Sequence, residues 1–205
     1  MGPDRRRTRR EVVAGAVTLA GAAAGAGAGL AAVAGPALAD TPPVSDAEAL
    51  SKALVVERLM VLAYRRVLAS GTLTPDVEAV LTPLLAHELE HVSAVAARLE
   101  RMGVRAATGP LDLSSASDEL SKHNVPGSLT DLHTMNDSLK LLVDLESVAE
   151  GVYFTALATL SKPGLQRLSA QIMACEAQHW TAVSGLRNPG QYVKAVPWPF
   201  VTGSS

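Results

Sequence analysis

The chain has 205 residues, which is enough for one domain and some additional segments. Apolar residues make up 48% of it and aromatic residues only 3%, and the abundance of alanine and leucine favours helices. The net charge of −2 argues against the basic surface of a nucleic-acid-binding protein, so no nucleic-acid partner is expected. A single cysteine, Cys175, excludes an intrachain disulfide and a zinc cluster built from cysteines.

The first 39 residues have the pattern of a twin-arginine export signal. Thr8-Arg9-Arg10 lies in a basic start, residues 12–39 carry no charge, and Ala37-Leu38-Ala39 fits a small-x-small cleavage site. We expect this signal, residues 1–39, to be removed and the protein to be periplasmic, in the cell envelope or extracellular. An uncleaved anchor is the alternative, because 28 uncharged residues are long enough to cross a membrane. Cleavage is favoured because the stretch is only weakly apolar, and stable membrane insertion is then not expected.

Residues 40–186 are expected to form the folded domain. Four long segments in it carry apolar residues at three- and four-residue spacing, which is typical of amphipathic helices. The predicted helices span residues 46–69, 74–102, 136–160 and 164–186, with a short helix over 114–123. Pro83 should bend the second helix or separate its first two turns.

Helices of this length bury their apolar stripes best as a bundle. The segment between the second and third helices is too long for a simple turn and can carry the chain along the bundle. The expected fold is therefore all-α, a four-helix bundle with one long crossover between helices two and three. Residues 187–205 contain three prolines and are expected to form an extended tail, held on the bundle or on a partner by Trp198 and Phe200.

Each half of the predicted bundle carries a glutamate inside an apolar stripe, followed by a Glu-x-x-His pair. The six residues are Glu57, Glu88 and His91 in the first half and Glu146, Glu176 and His179 in the second. Residues three apart lie on one face of a helix, so each Glu-x-x-His pair can bind one metal ion. Four ionised carboxylates in an apolar core would repel each other, and two divalent cations would balance their charge. Carboxylate and imidazole ligands suit iron, manganese or zinc.

Because of these six residues, the sequence over about residues 46–186 resembles the ferritin-like family, and its ligand spacing resembles that of bacterioferritin. The resemblance implies a ferritin-like bundle with two metal ions, for which iron is the first expectation and manganese the alternative. It implies that Glu57 and Glu146 are terminal ligands, that Glu88 and Glu176 bridge the ions, and that His91 and His179 bind one ion each.

The resemblance also implies oxidation of Fe(II) by oxygen or peroxide, or manganese-catalase-like chemistry, with Fe(II) or a small oxidant as substrate. The export signal, the long crossover and the tail depart from bacterioferritin, which argues against iron storage in a cage. Secreted ferritin-like domain proteins are the better match, and a homodimer, as in much of the family, is the expected assembly.

Two tyrosines repeat with the metal-ligand pattern. Tyr64 and Tyr153 each follow the first glutamate of their half by seven residues and match family tyrosines that hydrogen-bond near the site; ordinary core packing is the alternative. Glu150 lies one turn beyond Glu146 and could replace it as ligand. Glu146 is preferred because only it reproduces the spacing from glutamate to tyrosine.

Other functions are compatible with parts of the pattern. Residues 87–91 spell His-Glu-x-x-His, and a zinc hydrolase would use His87 and His91 as ligands and Glu88 as general base. That hypothesis leaves the second Glu-x-x-His pair unexplained. In addition, the repeat has Cys175 where the first half has His87, so His87 lies outside the shared pattern. We therefore expect His87 to be a packing or outer polar residue, and Cys175 to be a small buried one. The main alternative from another class is a non-catalytic bundle, with a structural metal or none, that acts as an envelope stress or binding protein.

Overall fold

The computed structural model describes residues 45–196 and Gly203, and the secondary structure within them is helical. Six helices follow one another in this part of the chain: α1 (Asp46–Leu68), α2 (Pro75–Arg101), α3 (Leu113–Lys122), α4 (Met135–Thr159), α5 (Pro163–Arg187) and α6 (Tyr192–Ala195). The expected all-α bundle is confirmed. The predicted signal in residues 1–39 lies outside the described residues. Among the described helices, none combines the length and apolarity needed to cross a membrane.

The four long helices pair as two hairpins. Helix α1 packs against α2 and α4 against α5, while α1–α4 and α2–α5 contacts join the two hairpins. The starts of the helices follow from local chemistry. Ser45 accepts a hydrogen bond from the backbone of Glu48 at the start of α1, Thr134 and Asp137 form a reciprocal capping box on α4, and prolines occupy the first turns of α2 and α5.

Helix α2 is continuous through Pro83, so the alternative that proline separates its first turns is wrong. Both Pro83 and Ala79, whose carbonyl loses its usual helical partner, lie on the exposed face, where water can hydrogen-bond that carbonyl. Leu81 and Leu84 are buried on either side of the proline and keep both segments of α2 packed on the bundle.

The crossover between α2 and α4 is attached to α1 by two arginines. Arg58 Nε donates to the carbonyl of Gly109 at 2.6 Å, and Arg66 Nε donates to the carbonyl of Leu129 at 3.0 Å. Between these points, α3 buries apolar side chains such as Leu120 in the core. The crossover is therefore a packed part of the domain.

The C-terminal segment differs from the extended tail that was expected. Helix α5 continues to Arg187, and after a turn at Gly190 the chain forms α6, which buries Ala195 against the bundle. Gly203 lies so close to the backbone of Gly151 in α4 that a side chain there would have no room. The predicted anchors Trp198 and Phe200 lie outside the described residues.

A polar layer divides the apolar core into two clusters. In α2, Glu88 lies between Leu84 of one cluster and Val92 of the other, and in α5 Glu176 follows Ile172 of the second cluster. The bundle thus places charged side chains at mid-length with apolar packing on both sides.

Candidate metal centre

The polar layer consists of six side chains that project inward from the four long helices. They are Glu57 from α1, Glu88 and His91 from α2, Glu146 from α4, and Glu176 and His179 from α5. All four carboxylates are fully buried, and the two histidines are 9% and 2% exposed. The structure therefore brings all six sequence-predicted ligands together in one buried place.

The donor atoms form two overlapping groups of four, and within each group all donor atoms lie within 4.8 Å of one another. One group is Glu57, Glu88, His91 and Glu176, and the other is Glu88, Glu146, Glu176 and His179. Each group thus has one histidine and one carboxylate of its own, and both groups share Glu88 and Glu176. This is the arrangement that two neighbouring ions bridged by two carboxylates require.

The distances within the groups suit ligands of a common ion. His91 Nδ1 lies 2.8 Å from Glu176 Oε1 and 3.5 Å from Glu57 Oε2. His179 Nδ1 lies 2.8 Å from Glu88 Oε1 and 3.3 Å from Glu176 Oε2. Two ligands about 2.1 Å from one ion are about 3.0 Å apart at a right angle and about 3.4 Å apart at the tetrahedral angle.

Most of these atoms have no hydrogen-bond partner although they are buried. The unpartnered atoms are both carboxylate oxygens of Glu57, Glu88 and Glu176, Oε2 of Glu146, and Nδ1 of His91 and His179. Buried polar atoms are nearly always satisfied in folded proteins, so such a concentration needs a cause. Atoms that approach within 3 Å without hydrogen-bond geometry are what a shared cation would produce, and the residues present therefore fit a dinuclear metal centre.

The same burial shifts the proton affinities of the ligands. Burial and the charge of Glu176 raise the pKa of Glu57 to about 8, and the same causes raise the pKa of Glu146 well above its ordinary value. Burial alone would lower the pKa of His91 and His179, but the surrounding carboxylates outweigh it and raise both. Protons thus compensate the carboxylates when no cation does, and divalent cations bound there would displace those protons.

The two tyrosines lie beside the carboxylates. Each tyrosine belongs to one hairpin and faces a glutamate of the other hairpin. The Tyr64 hydroxyl on α1 donates a hydrogen bond to Glu146 Oε1 on α4. Tyr153 on α4 is fully buried, and burial together with the charge of Glu57 on α1 raises its pKa. The sequence places both tyrosines near the site, but only the fold determines which carboxylate each one faces.

Glu150 is buried but stands apart from both ligand groups. Burial and the charge of Glu176 raise its pKa to about 7, yet its oxygens belong to neither cluster of donor atoms. Of the two glutamates between which the sequence left a choice, the structure thus places Glu146 with the other ligands.

A second, outer group of metal-binding side chains was not predicted as a site from the sequence. His87 on α2 joins Cys175 and His179 on α5, with His87 Nδ1 3.0 Å from His179 Nε2 and Cys175 Sγ 3.4 Å from the same nitrogen. His87 therefore groups with α5 and not with His91, contrary to what a His-Glu-x-x-His zinc protease requires. The one available signal was that His87 and Cys175 occupy equivalent positions in the two halves.

Comparison with known proteins places these observations in a family. A family profile described as "Ferritin-like domain" matches residues 45–189, which include all six predicted ligands. Among solved structures, the chain is similar to that of a conserved hypothetical protein, rv2844, from Mycobacterium tuberculosis, with a TM-score of 0.57 and 18% identity. The match covers 76% of this chain and 93% of that one, and at this identity it bears on the fold alone. No curated protein matches the chain at a significant level.

Proposed function

The chain belongs to the ferritin-like domain family, and from that premise we propose that it is an exported dinuclear metal-carboxylate oxidoreductase that acts on Fe(II), oxygen or peroxide. The observation that carries this proposal is the pair of four-ligand groups that share Glu88 and Glu176. A single structural ion would need one group of ligands. Two groups with shared carboxylates are suited to a pair of redox ions.

The residues would hold the ions with little net charge left over. Two divalent cations balance the four carboxylates, and neutral His91 and His179 add no charge. Iron is the first choice and manganese the alternative, because both accept mixed carboxylate and imidazole ligands. When bound, such ions supply the redox chemistry, and the protein residues position them, balance their charge and limit solvent access.

Solvent access is limited from both sides. Apolar clusters cover the polar layer above and below, and the carboxylates are fully buried. The Tyr64 hydroxyl fixes one oxygen of Glu146, which leaves Oε2 to face the centre. A fully buried site admits small reactants such as oxygen or peroxide more readily than larger substrates.

A non-catalytic bundle is the second candidate, and one observation favours it. Each histidine approaches a bridging carboxylate to 2.8 Å, so protonated imidazoles could compensate the carboxylates without any metal. Such a protein would serve as an envelope stress or binding protein. The two candidates differ in metal content and turnover.

Metal analysis of the protein purified from its own export route separates them. Two iron or manganese ions per chain, with turnover of Fe(II) or peroxide, would support the oxidoreductase. Zinc alone, or no metal after Fe(II) loading under anaerobic conditions, would support the non-catalytic bundle. Glu150→Gln is the control variant and should leave the metal content unchanged. Glu150 is a buried carboxylate on α4, the helix of Glu146, but lies outside both ligand groups.

Export is proposed on the sequence pattern of residues 1–39. Replacing Arg9 and Arg10 by lysine should retain the protein inside the cell in its uncleaved form, as fractionation and mass spectrometry would detect. Unchanged export of that variant would contradict the twin-arginine route. A homodimer is proposed as the assembly, and sedimentation of the purified protein would test it.

A further inference from the structure

The outer group, His87, Cys175 and His179, lies immediately next to the dinuclear centre but uses different atoms. His179 presents Nδ1 to the carboxylates of the centre and Nε2 to the outer group. His87 is exposed, Cys175 is half-buried and His179 is almost fully buried. The three donors thus lead from the surface down to the buried ring.

The distances between the three donor atoms match those of a common tetrahedral ion. His87 Nδ1 and His179 Nε2 are 3.0 Å apart, and Cys175 Sγ lies 3.4 Å from His179 Nε2 and 4.0 Å from His87 Nδ1. Zinc bound to nitrogen at about 2.05 Å and to sulfur at about 2.3 Å places two nitrogens about 3.3 Å apart, and nitrogen and sulfur about 3.6 Å apart. All three observed separations lie within about half an ångström of these values.

We propose that His87, Cys175 and His179 form a separate mononuclear site for a thiophilic cation of the Zn²⁺ or Cu⁺ class. One thiolate and two imidazoles are softer ligands than the carboxylates of the inner centre, so the two sites prefer different metals. On binding, the Cys175 thiol loses its proton to solvent and the thiolate binds the ion. Three protein ligands leave one coordination position open, on the side of the exposed His87.

The imidazole of His179 belongs to both groups, and this determines how the outer site must be tested. A neutral imidazole has one free lone pair, so His179 binds an outer ion through Nε2 while its proton stays on Nδ1. When an inner ion occupies Nδ1, the ring reaches the outer ion only as an imidazolate. The experiment therefore starts from the full chain stripped of metal, under a phosphine reductant that keeps Cys175 as a thiol.

Titration with Co²⁺ reports this site alone. Cys175 is the only cysteine in the chain, so a near-ultraviolet thiolate-to-cobalt charge-transfer band can arise only there. We expect the band to saturate at one ion per chain and to be removed by Zn²⁺. A double variant, Glu57→Gln with Glu146→Gln, should keep the band, because neither residue contributes to the outer group.

Ligand variants distinguish a built site from a reactive thiol. Cys175→Ser should abolish the band, and His87→Ala should weaken Co²⁺ affinity by at least about tenfold. His133→Ala, which removes an exposed histidine of the crossover, is the matched control and should leave the titration unchanged. Circular dichroism verifies that each variant is folded. Absence of the band both in the folded wild-type chain and in the folded Glu57→Gln/Glu146→Gln variant, whose inner centre competes less for Co²⁺, would overturn the proposal. So would a band that His87→Ala does not weaken.

Discussion

The double variant Glu88→Gln with Glu176→Gln should abolish the stabilisation that metal gives the wild-type chain. These two carboxylates are fully buried, belong to both ligand groups, and lack hydrogen-bond partners on either oxygen. Glutamine keeps their shape but removes both negative charges. The variant therefore loses the two carboxylates that both proposed ions would share, and with them the partners of His91 and His179.

The expected magnitudes follow from linkage. A ligand present at about 100 times its dissociation constant stabilises the folded state by about 2.7 kcal/mol, so two ions contribute about 5 kcal/mol. For a chain of this size, 1 kcal/mol corresponds to about 2–4 °C in Tm, so metal should raise the wild-type Tm by roughly 10–20 °C. The double variant should show no such rise. In chelator it should be no more stable than the wild type, because burial disfavours the Glu176 carboxylate but His179 and His91 outweigh it and lower its pKa to about 2. Glutamine therefore loses a favourable interaction there.

Thermal unfolding monitored by circular dichroism, with Fe(II) or Mn²⁺ under anaerobic conditions and in chelator, measures both effects. Stoichiometry by metal analysis accompanies each curve. If the wild type gains no stability from either ion, or if the double variant still takes up two ions, Glu88 and Glu176 are not bridging ligands.

Four further predictions concern single side chains. Glu146→Gln should reduce uptake from two ions to one, whereas Glu150→Gln should retain both; the reverse result would exchange their roles. Because the pKa of Glu150 is raised from 4.5 to about 7, the folded state favours its neutral form, and Glu150→Gln should add about 1 kcal/mol of stability above pH 7 and nothing below pH 4. Tyr64→Phe should cost about 1–3 kcal/mol, because Glu146 loses its donor; a loss below about 0.5 kcal/mol in denaturant unfolding would contradict this. Arg66→Met should make the crossover more sensitive to limited proteolysis than the wild type, since the carbonyl of residue 129 loses its donor; an unchanged cleavage rate would show that this bond is dispensable.

The helices were predictable because their apolar residues recur with helical period and their ends carry ordinary signals. The observed bounds of α1, α4 and α5 differ from the predicted ones by no more than one residue at each end. The continuity of α2 through Pro83 was harder to predict, because it depends on whether the freed carbonyl faces water. Helix α6 was missed because a four-residue helix contains too few residues to show periodicity, and its burial of Ala195 is a tertiary effect.

The six buried side chains of the candidate centre were predictable because the sequence repeats them in two halves with nearly the same spacing. Contacts across helices were not. The pairing of Tyr64 with Glu146 depends on which hairpin faces which, and spacing along one helix does not contain that information. Likewise, His87 and Cys175 meet His179 only because α2 and α5 approach each other at this height. Local pattern fixed the composition of the centre, and packing fixed its geometry.

The candidate ligands are distributed over both hairpins, so metal binding and the fold would depend on each other. One group takes Glu57, Glu88 and His91 from the first hairpin but needs Glu176 from the second, and the other group likewise needs Glu88 from the first. Neither hairpin alone can complete either group. Ions bound there would hold the two hairpins together at the polar layer, where apolar packing is interrupted and the carboxylates otherwise depend on protons for charge compensation. The polar layer interrupts the apolar packing of the metal-free bundle, and metal bound at the same layer would stabilise the bundle.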